Sequence, residues 1–331
     1  MRLLRMIGII MIVMLVLFFT VPFLLPDSVE VHKSMQINTS AQTVFRQVNN
    51  LQNWRNWSPF ELGDPNMESV YEGPIQGVGA KHIWVSETMG DGSLTILESN
   101  PYTFIKGLLD MKDGGMATDE WSFVENSEGV EVTWTLKLTG LKYPFHRYFG
   151  FFIGSMMRPM QQKGLEKLKE VSEAIPASVP ISLVDLEPQY SVSIMDSAMI
   201  TGLEALMAAN IAELELFMKQ GRISAEGPLY ALYYNWDEDK PVGMRIGFPV
   251  VGEVKESGRV NYMPTPGGKA LKAIYNGPYD ASGKAHFDMD AYMLDFGYQR
   301  RSIPIMEIYQ IGPMQEQDAS KWVTHIYYFV E

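Results

Sequence analysis

Two landmarks in the C-terminal part of the chain recur at one spacing. Gly221 of "LFMKQGRI" and Gly297 of "YMLDFGYQR" stand 76 residues apart, and so do Pro228 of "GPLYALYYN" and Pro304 of "IPIMEIYQI". Around them each copy keeps one order: an alternating strand-like run ("YSVSIM", "GKALKAIY"), a helix stopping at the glycine ("IAELELFMKQG", "KAHFDMDAYMLDFG"), then two more strand runs ("PLYALYYN" with "GMRIGFPV", "PIMEIYQI" with "WVTHIYYFV"). This pattern predicts a tandem β-α-β-β pseudo-repeat whose two units face each other about a central groove. A glycine ending each helix suits the left-handed position just past a helix C-terminus.

The copies differ at one telling place. Leu229, Ala231 and Tyr233 of the first match Ile305, Glu307 and Tyr309 of the second, so the frame is kept and a carboxylate is added. Ile305, Glu307, Tyr309 and Ile311 share one strand face and Met306 and Ile308 the other, so the acid has apolar neighbours either way. A buried charge costs several kcal/mol unless it is paired. Because the first copy folds with alanine there, the fold itself does not demand an acid, which favours a functional role for Glu307. The competing reading is a glutamate turned to solvent, or one satisfied by an internal arginine such as Arg245 or Arg300.

The N-terminus bears on where such a body sits. After "MRLLR" an uncharged run extends from Met6 to Leu25, and as a helix these twenty residues rise about 30 Å, the hydrocarbon thickness of a bilayer. The run continues through "FFTVPFLLPDS" without an Ala-x-Ala cleavage pattern, so residues 1–28 read as a retained anchor that meets the lipid bilayer through residues 6–25. Arg2 and Arg5 precede the run and Asp27 and Glu30 follow it. That asymmetry predicts a single-pass protein with a cytoplasmic N-terminus and the body on the non-cytoplasmic side.

The remaining length suffices for two hydrophobic cores. Cysteine is absent, which removes thiol catalysis, thiolate metal sites and disulfides; no metal site and no cofactor is expected. The net charge of −12 divides into −6 for residues 27–177, −8 for residues 178–331 and +2 from the two N-terminal arginines. With no basic stripe to neutralise phosphates, nucleic acid is not a predicted partner, and neutral or cationic ligands are favoured over anionic ones.

From Val29, "VEVHKSMQINTS" alternates as a strand, and "AQTVFRQVNNLQNW" places Val44, Phe45, Val48 and Leu51 at helical spacing behind Ser40 as N-cap. Strand-like runs follow, ending in "GVEVTWTLKLTG", where Val130, Val132, Trp134, Leu136 and Leu138 face one way and polar residues the other. A helix from about Tyr148 to Ala174 closes the unit. Pro176 and Pro180 in "AIPASVPIS" then mark a linker, residues 176–182, between a domain at 29–175 and another at 183–331.

Through "NTSAQTVFRQVNNLQNWRNWSPF", "GVGAKHIWVSE" and "QQKGLEKLKEV", residues 29–175 resemble the helix-grip fold of the SRPBCC superfamily, which includes START-type lipid-transfer and polyketide-cyclase-like proteins. The resemblance implies an antiparallel sheet curled around the long helix and an apolar-ligand cavity. Trp54, Trp57, Trp84, Trp121 and Trp134 are either its walls or plain core. Through "GPLYALYYNWDED", "GGKALKAIYNGPYDASGKAHFDM" and "IPIMEIYQIGP", residues 183–331 resemble the gyrase-inhibitor-like (GyrI-like) small-molecule-binding domain, also the effector-binding domain of bacterial multidrug-responsive regulators. That resemblance implies Glu307 as charge partner of an amphipathic, often cationic ligand, with Tyr233, Tyr275, Tyr309 and Trp322 as aromatic walls. After "EIYQI" the family often continues with an aspartate-proline pair, whereas this chain has "GPMQEQDASKW", so a different last hairpin is expected; the regulators' DNA-binding domain is also missing. Together these readings predict an α+β, membrane-anchored small-molecule-binding protein acting as a sensor or by sequestration. The alternative is a hydrolase using Glu307 on a small lipophilic substrate, although no motif places a second acid or base.

Overall fold

The computed structural model describes residues 2–112, 115–237 and 239–331. It begins with helix α1 (Arg2–Leu24), of which Arg5–Leu24, at a mean hydropathy of 2.9, is long and apolar enough to cross a membrane. The chain divides into two compact units, one reaching Ala177 and one starting at Ser178.

In the first unit, β1 (Val29–Ile37) leads into α2 (Ala41–Asn49) and the short α3 (Pro59–Gly63). Ser40 caps α2 as its spacing predicts, its hydroxyl accepting from the Thr43 backbone N–H at 3.3 Å. Six strands follow, β2 (Glu68–Glu72), β3 (Lys81–Val85), β4 (Gly92–Asn100), β5 (Phe104–Asp110), β6 (Met116–Asn126) and β7 (Gly129–Leu138), and then the long helix α4 (Phe145–Glu173). The sheet is antiparallel throughout, in the order β1-β7-β6-β5-β4-β3-β2. Its alternating inner face buries Val130, Val132 and Trp134 against Leu165 and Leu168 of α4, with Val44 and Phe45 of α2 in the same core. Gly164 lets the helix come close, because a Cβ there would stand 2.9 Å from the Pro59 ring and 3.0 Å from the Trp134 indole.

Trp54, Trp57, Trp121 and Trp134 are core rather than cavity walls: all four are buried, with ring centroids 4.7 Å apart for Trp54 and Trp57 and 4.6 Å for Trp121 and Trp134. Large rings at inward strand positions pack on one another and fill the space the helix covers. Trp84 is half-buried on β3, its indole N–H donating to the Gly90 carbonyl at 3.0 Å.

The second unit is one antiparallel sheet of eight strands. These are β8 (Ile181–Leu186), β9 (Tyr190–Ala198), β10 (Tyr230–Tyr233), β11 (Val242–Pro249), β12 (Asn261–Pro264), β13 (Gly268–Asn276), β14 (Ile305–Ile311) and β15 (Val323–Phe329), in the order β12-β9-β11-β10-β14-β15-β13-β8. Helix α5 (Leu203–Gly221) connects β9 to β10 and helix α6 (Gly283–Phe296) connects β13 to β14. The two copies therefore join edge to edge through β10 and β14 instead of facing each other. Ala231 lies directly opposite Glu307, so the pseudo-two-fold axis passes between the residues that the 76-residue offset equates. Leu214 and Met218 of α5 pack on Ile246, and Ala285 and Met289 of α6 on Ile326. Ile246 is the cross-strand neighbour of Ala231 and Ile326 of Glu307, so both helices cover the face to which Glu307 points.

The repeat's glycines are not equivalent. Gly297 takes the left-handed cap, φ 71°, but in the first copy that conformation falls to Arg222, φ 54°, one residue later. A Cβ at Gly221 would meet only the Ile223 side chain, with Cδ1 at 2.8 Å, and that side chain can turn aside, so packing does not demand glycine there. β8 and β12, short outer strands, carried no pattern that the sequence reading singled out; β8 begins within 176–182, with Ile181 opposite Ala273.

Candidate functional site

Glu307 occupies the middle of β14, and strand alternation sends its side chain to the helix-covered face along with Tyr309. It is 9% exposed. The Tyr309 hydroxyl donates to Oε2 at 3.0 Å, and His286, on α6, places Nε2 3.1 Å from Oε1. Neither arginine considered from the sequence reaches it. Arg245 donates to Ser193 Oγ and Asn261 Oδ1, and the Arg300 guanidinium lies over the Tyr328 ring at 4.5 Å. Among the described residues no lysine or arginine forms an ion pair with Glu307.

The contacts extend outward on both sides. The hydroxyls of Tyr233 and Tyr309, equivalent in the repeat, are 2.9 Å apart, while His286 Nδ1 stands 3.1 Å from the Tyr328 hydroxyl. With Glu307 ionised, one proton arrangement satisfies the whole chain: Tyr233 donates to Tyr309, Tyr309 to Oε2, Nε2–H to Oε1, and Tyr328 to Nδ1. Burial, and after it the charge of Glu307, pushes the Tyr309 phenol far above its usual range, and burial also raises Tyr233 and Tyr328. All three stay protonated donors at neutral pH. The arrangement is a buried carboxylate held by a phenol and an imidazole, with two further phenols hydrogen-bonded to those partners.

Of the residues singled out from the sequence, Glu307, Tyr233 and Tyr309 come together. Trp322 joins at one remove, its ring 4.7 Å from Tyr279, which in turn lies edge-on to Tyr309 at 5.1 Å. Tyr275 does not join them; its hydroxyl donates to the Pro278 carbonyl at 2.9 Å and its ring packs with the α6 core. His286, Tyr279 and Tyr328 were missed. The signal for His286 was available, because the 76-residue offset sets it against Asn210, a second polar residue amid an apolar helix face.

The first unit places ionisable groups of its own in buried or half-buried positions. Asp119 on β6 accepts from the indole N–H groups of Trp121, at 2.8 Å, and Trp134; complete burial still pushes it up to about 6. Near the β2 edge, burial raises Glu61 to about 7 and lowers His82 to about 4, with the nearby Arg55 charge second in each case. Their 3.8 Å approach thus favours the neutral forms rather than an ion pair. Glu61 Oε1 and the Tyr71 hydroxyl are buried without a hydrogen-bond partner among the described residues.

Residues 189–330 match the family model of the GyrI-like small molecule binding domain, and residues 28–173 that of polyketide cyclase / dehydrase and lipid transport. No curated protein matches the chain. Among solved structures, the chain is similar to the EcmrR C-terminal domain, at 21% identity over 46% of this chain and 98% of that one with a TM-score of 0.42. It is also similar to EcmrR in its DNA complex, at 19% over 57% and 73% with a TM-score of 0.44. A hydrolase from Listeria innocua matches at 14% over 49% and 98%, with a TM-score of 0.35. The chain joins a domain of the polyketide cyclase / dehydrase and lipid transport family to a GyrI-like small-molecule-binding domain.

Proposed function

We propose that this is a membrane-anchored sensor or sequestering protein whose C-terminal domain takes an amphipathic, aromatic, cationic molecule at Glu307. The observation that carries the reading is a buried carboxylate among tyrosines with no lysine or arginine partner among the described residues. An ionised carboxylate offers about four acceptor positions. Tyr309 and His286 use two, leaving capacity for a ligand cation, with Tyr233, Tyr279 and Trp322 as aromatic surroundings. The family description, small-molecule binding, supports the same class of role.

In this reading α1 crosses the bilayer with Arg5 on the cytoplasmic side and the body outside, following the charge asymmetry. The first domain's share is a small apolar molecule whose polar end would find Glu61 and Tyr71. The hydrolase alternative would use Glu307 with His286, 3.1 Å away, as its second acid or base, and the family match to small-molecule binding does not favour it.

Calorimetric titration of the detergent-solubilised protein with tetraphenylphosphonium, a lipophilic aromatic cation, tests the proposal. Saturable, reversible binding is expected. Absence of binding across a panel of such cations would contradict it, and time-dependent loss of a lipophilic ester offered in the same way would favour the hydrolase.

A further inference from the structure

We infer that the first three turns of α4 lie in the surface layer of the bilayer beside α1, giving the protein a second membrane contact. This rests on the reading of α1 as a membrane span. On the inner side of α4, Ile153, Met157 and Leu165 pack into the first unit. On the outer side, Phe145, Phe149, Phe152 and Met156 form a stripe at helical spacing, exposed by 67, 39, 61 and 53%. Phe151 is bare as well. Continued along the helix, the same stripe turns polar at Lys163, Lys167 and Glu170. An apolar stripe that stops partway along one helix fits an apolar layer of limited depth better than a protein groove.

The contacts between α4 and α1 set that depth. Tyr148 stacks on Phe18 at 5.3 Å, Tyr143 packs on Phe23 at 4.7 Å, and Arg147 donates to the Pro22 carbonyl at 3.0 Å. Phe18 is seven residues before Leu25, so the start of α4 stands beside α1 about 10 Å inside the end of its apolar run. That is the depth at which interfacial helices bury an apolar face. The hydrogen bonding agrees. Pro22 has no N–H, which deprives the Phe18 carbonyl of its helical donor, and the Tyr148 hydroxyl supplies one at 3.0 Å. The Tyr143 hydroxyl likewise serves the Phe19 carbonyl. Backbone groups served by protein rather than water are what a hydrocarbon environment demands.

The chain lacks cysteine, so single spin labels can be placed on the full-length protein. Phe145→Cys and Phe152→Cys report on α4, Leu15→Cys on the middle of α1, and Lys167→Cys on the polar continuation. The labelled protein is reconstituted in vesicles of phosphatidylcholine with a minority of phosphatidylglycerol, and collisions with oxygen and with a water-soluble nickel chelate are compared. The expected result is an oxygen-to-nickel ratio several-fold higher at Leu15, Phe145 and Phe152 than at Lys167. Phe145 and Phe152 labels as open to nickel as Lys167, with Leu15 shielded, would overturn the inference and leave the anchor standing. Labels on α4 shielded from both reagents would place a protein partner there and also overturn it. A nickel-accessible Leu15 would remove the anchor and the inference together.

Discussion

Asp119 in the first domain and Glu307 in the second are both strand carboxylates among aromatic rings, and the rings serve them differently. Asp119 is closed in by two indoles, whose N–H groups can only donate. Its cage is committed to an acceptor at both oxygens and belongs to the core. Glu307 is held by a phenol and an imidazole, groups that can exchange donor and acceptor roles by rotation or a change of tautomer, on the face between two helices. A cage that can rearrange its protons can tolerate a changed occupant. What separates a structural acid from a candidate binding acid is the repertoire of its partners more than its burial.

The largest test of this contrast places a second acid beside the first. Ala231→Glu sets a like charge opposite Glu307 at a fully buried position, and an unpaired buried charge should cost about 3–5 kcal/mol in urea unfolding. A variant as stable as the parent would show the site more open to water than described. Next, Asp119→Ala strands two buried indole donors and should cost about 2–3 kcal/mol at pH 4.5. Since burial raises Asp119 from 3.8 to about 6, the folded chain keeps its proton where the unfolded chain has lost it. Its contribution to stability therefore declines as pH rises through that window, and the gap between parent and Ala variant should narrow from pH 4 to pH 6 and then level off. A gap that widens over this range would place the folded-state pKa below the unfolded one. Tyr328→Phe should cost about 1 kcal/mol, a small effect because Phe248 holds the corresponding place in the first copy, two residues beyond Ile246 as Tyr328 is beyond Ile326. The smallest effect is expected from Glu307→Gln, within about 1 kcal/mol, because Tyr309 can donate to the amide oxygen while His286 switches tautomer to accept from the amide N–H.

The acid itself was legible because the repeat supplies its own control, Ala231, at the matching place. Its partners were harder to read. His286 comes from a helix and Tyr328 from another strand, so their approach depends on how α6 crosses the sheet, which no local pattern encodes. Tyr275, an aromatic matched through family resemblance, lies on β13, two strands from Glu307, with its hydroxyl on the Pro278 carbonyl. The edge-to-edge union of the two copies was equally hidden, because periodicity assigns strands and faces but leaves pairing open. Asp119 had a readable signal that was passed over: it shares the inward face of β6 with Ala117, Trp121 and Phe123.

The most direct test of the account compares the parent with Glu307→Gln against a lipophilic aromatic cation and a neutral analogue of the same shape, with thermal unfolding followed alongside. The account predicts an unchanged fold, a loss of about 1.5–3 kcal/mol in cation binding, or roughly tenfold to hundredfold in Kd, and little change for the neutral analogue. Equal cation affinity in both proteins would contradict the charge-partner role, and a large fall in melting temperature would make Glu307 a structural residue like Asp119.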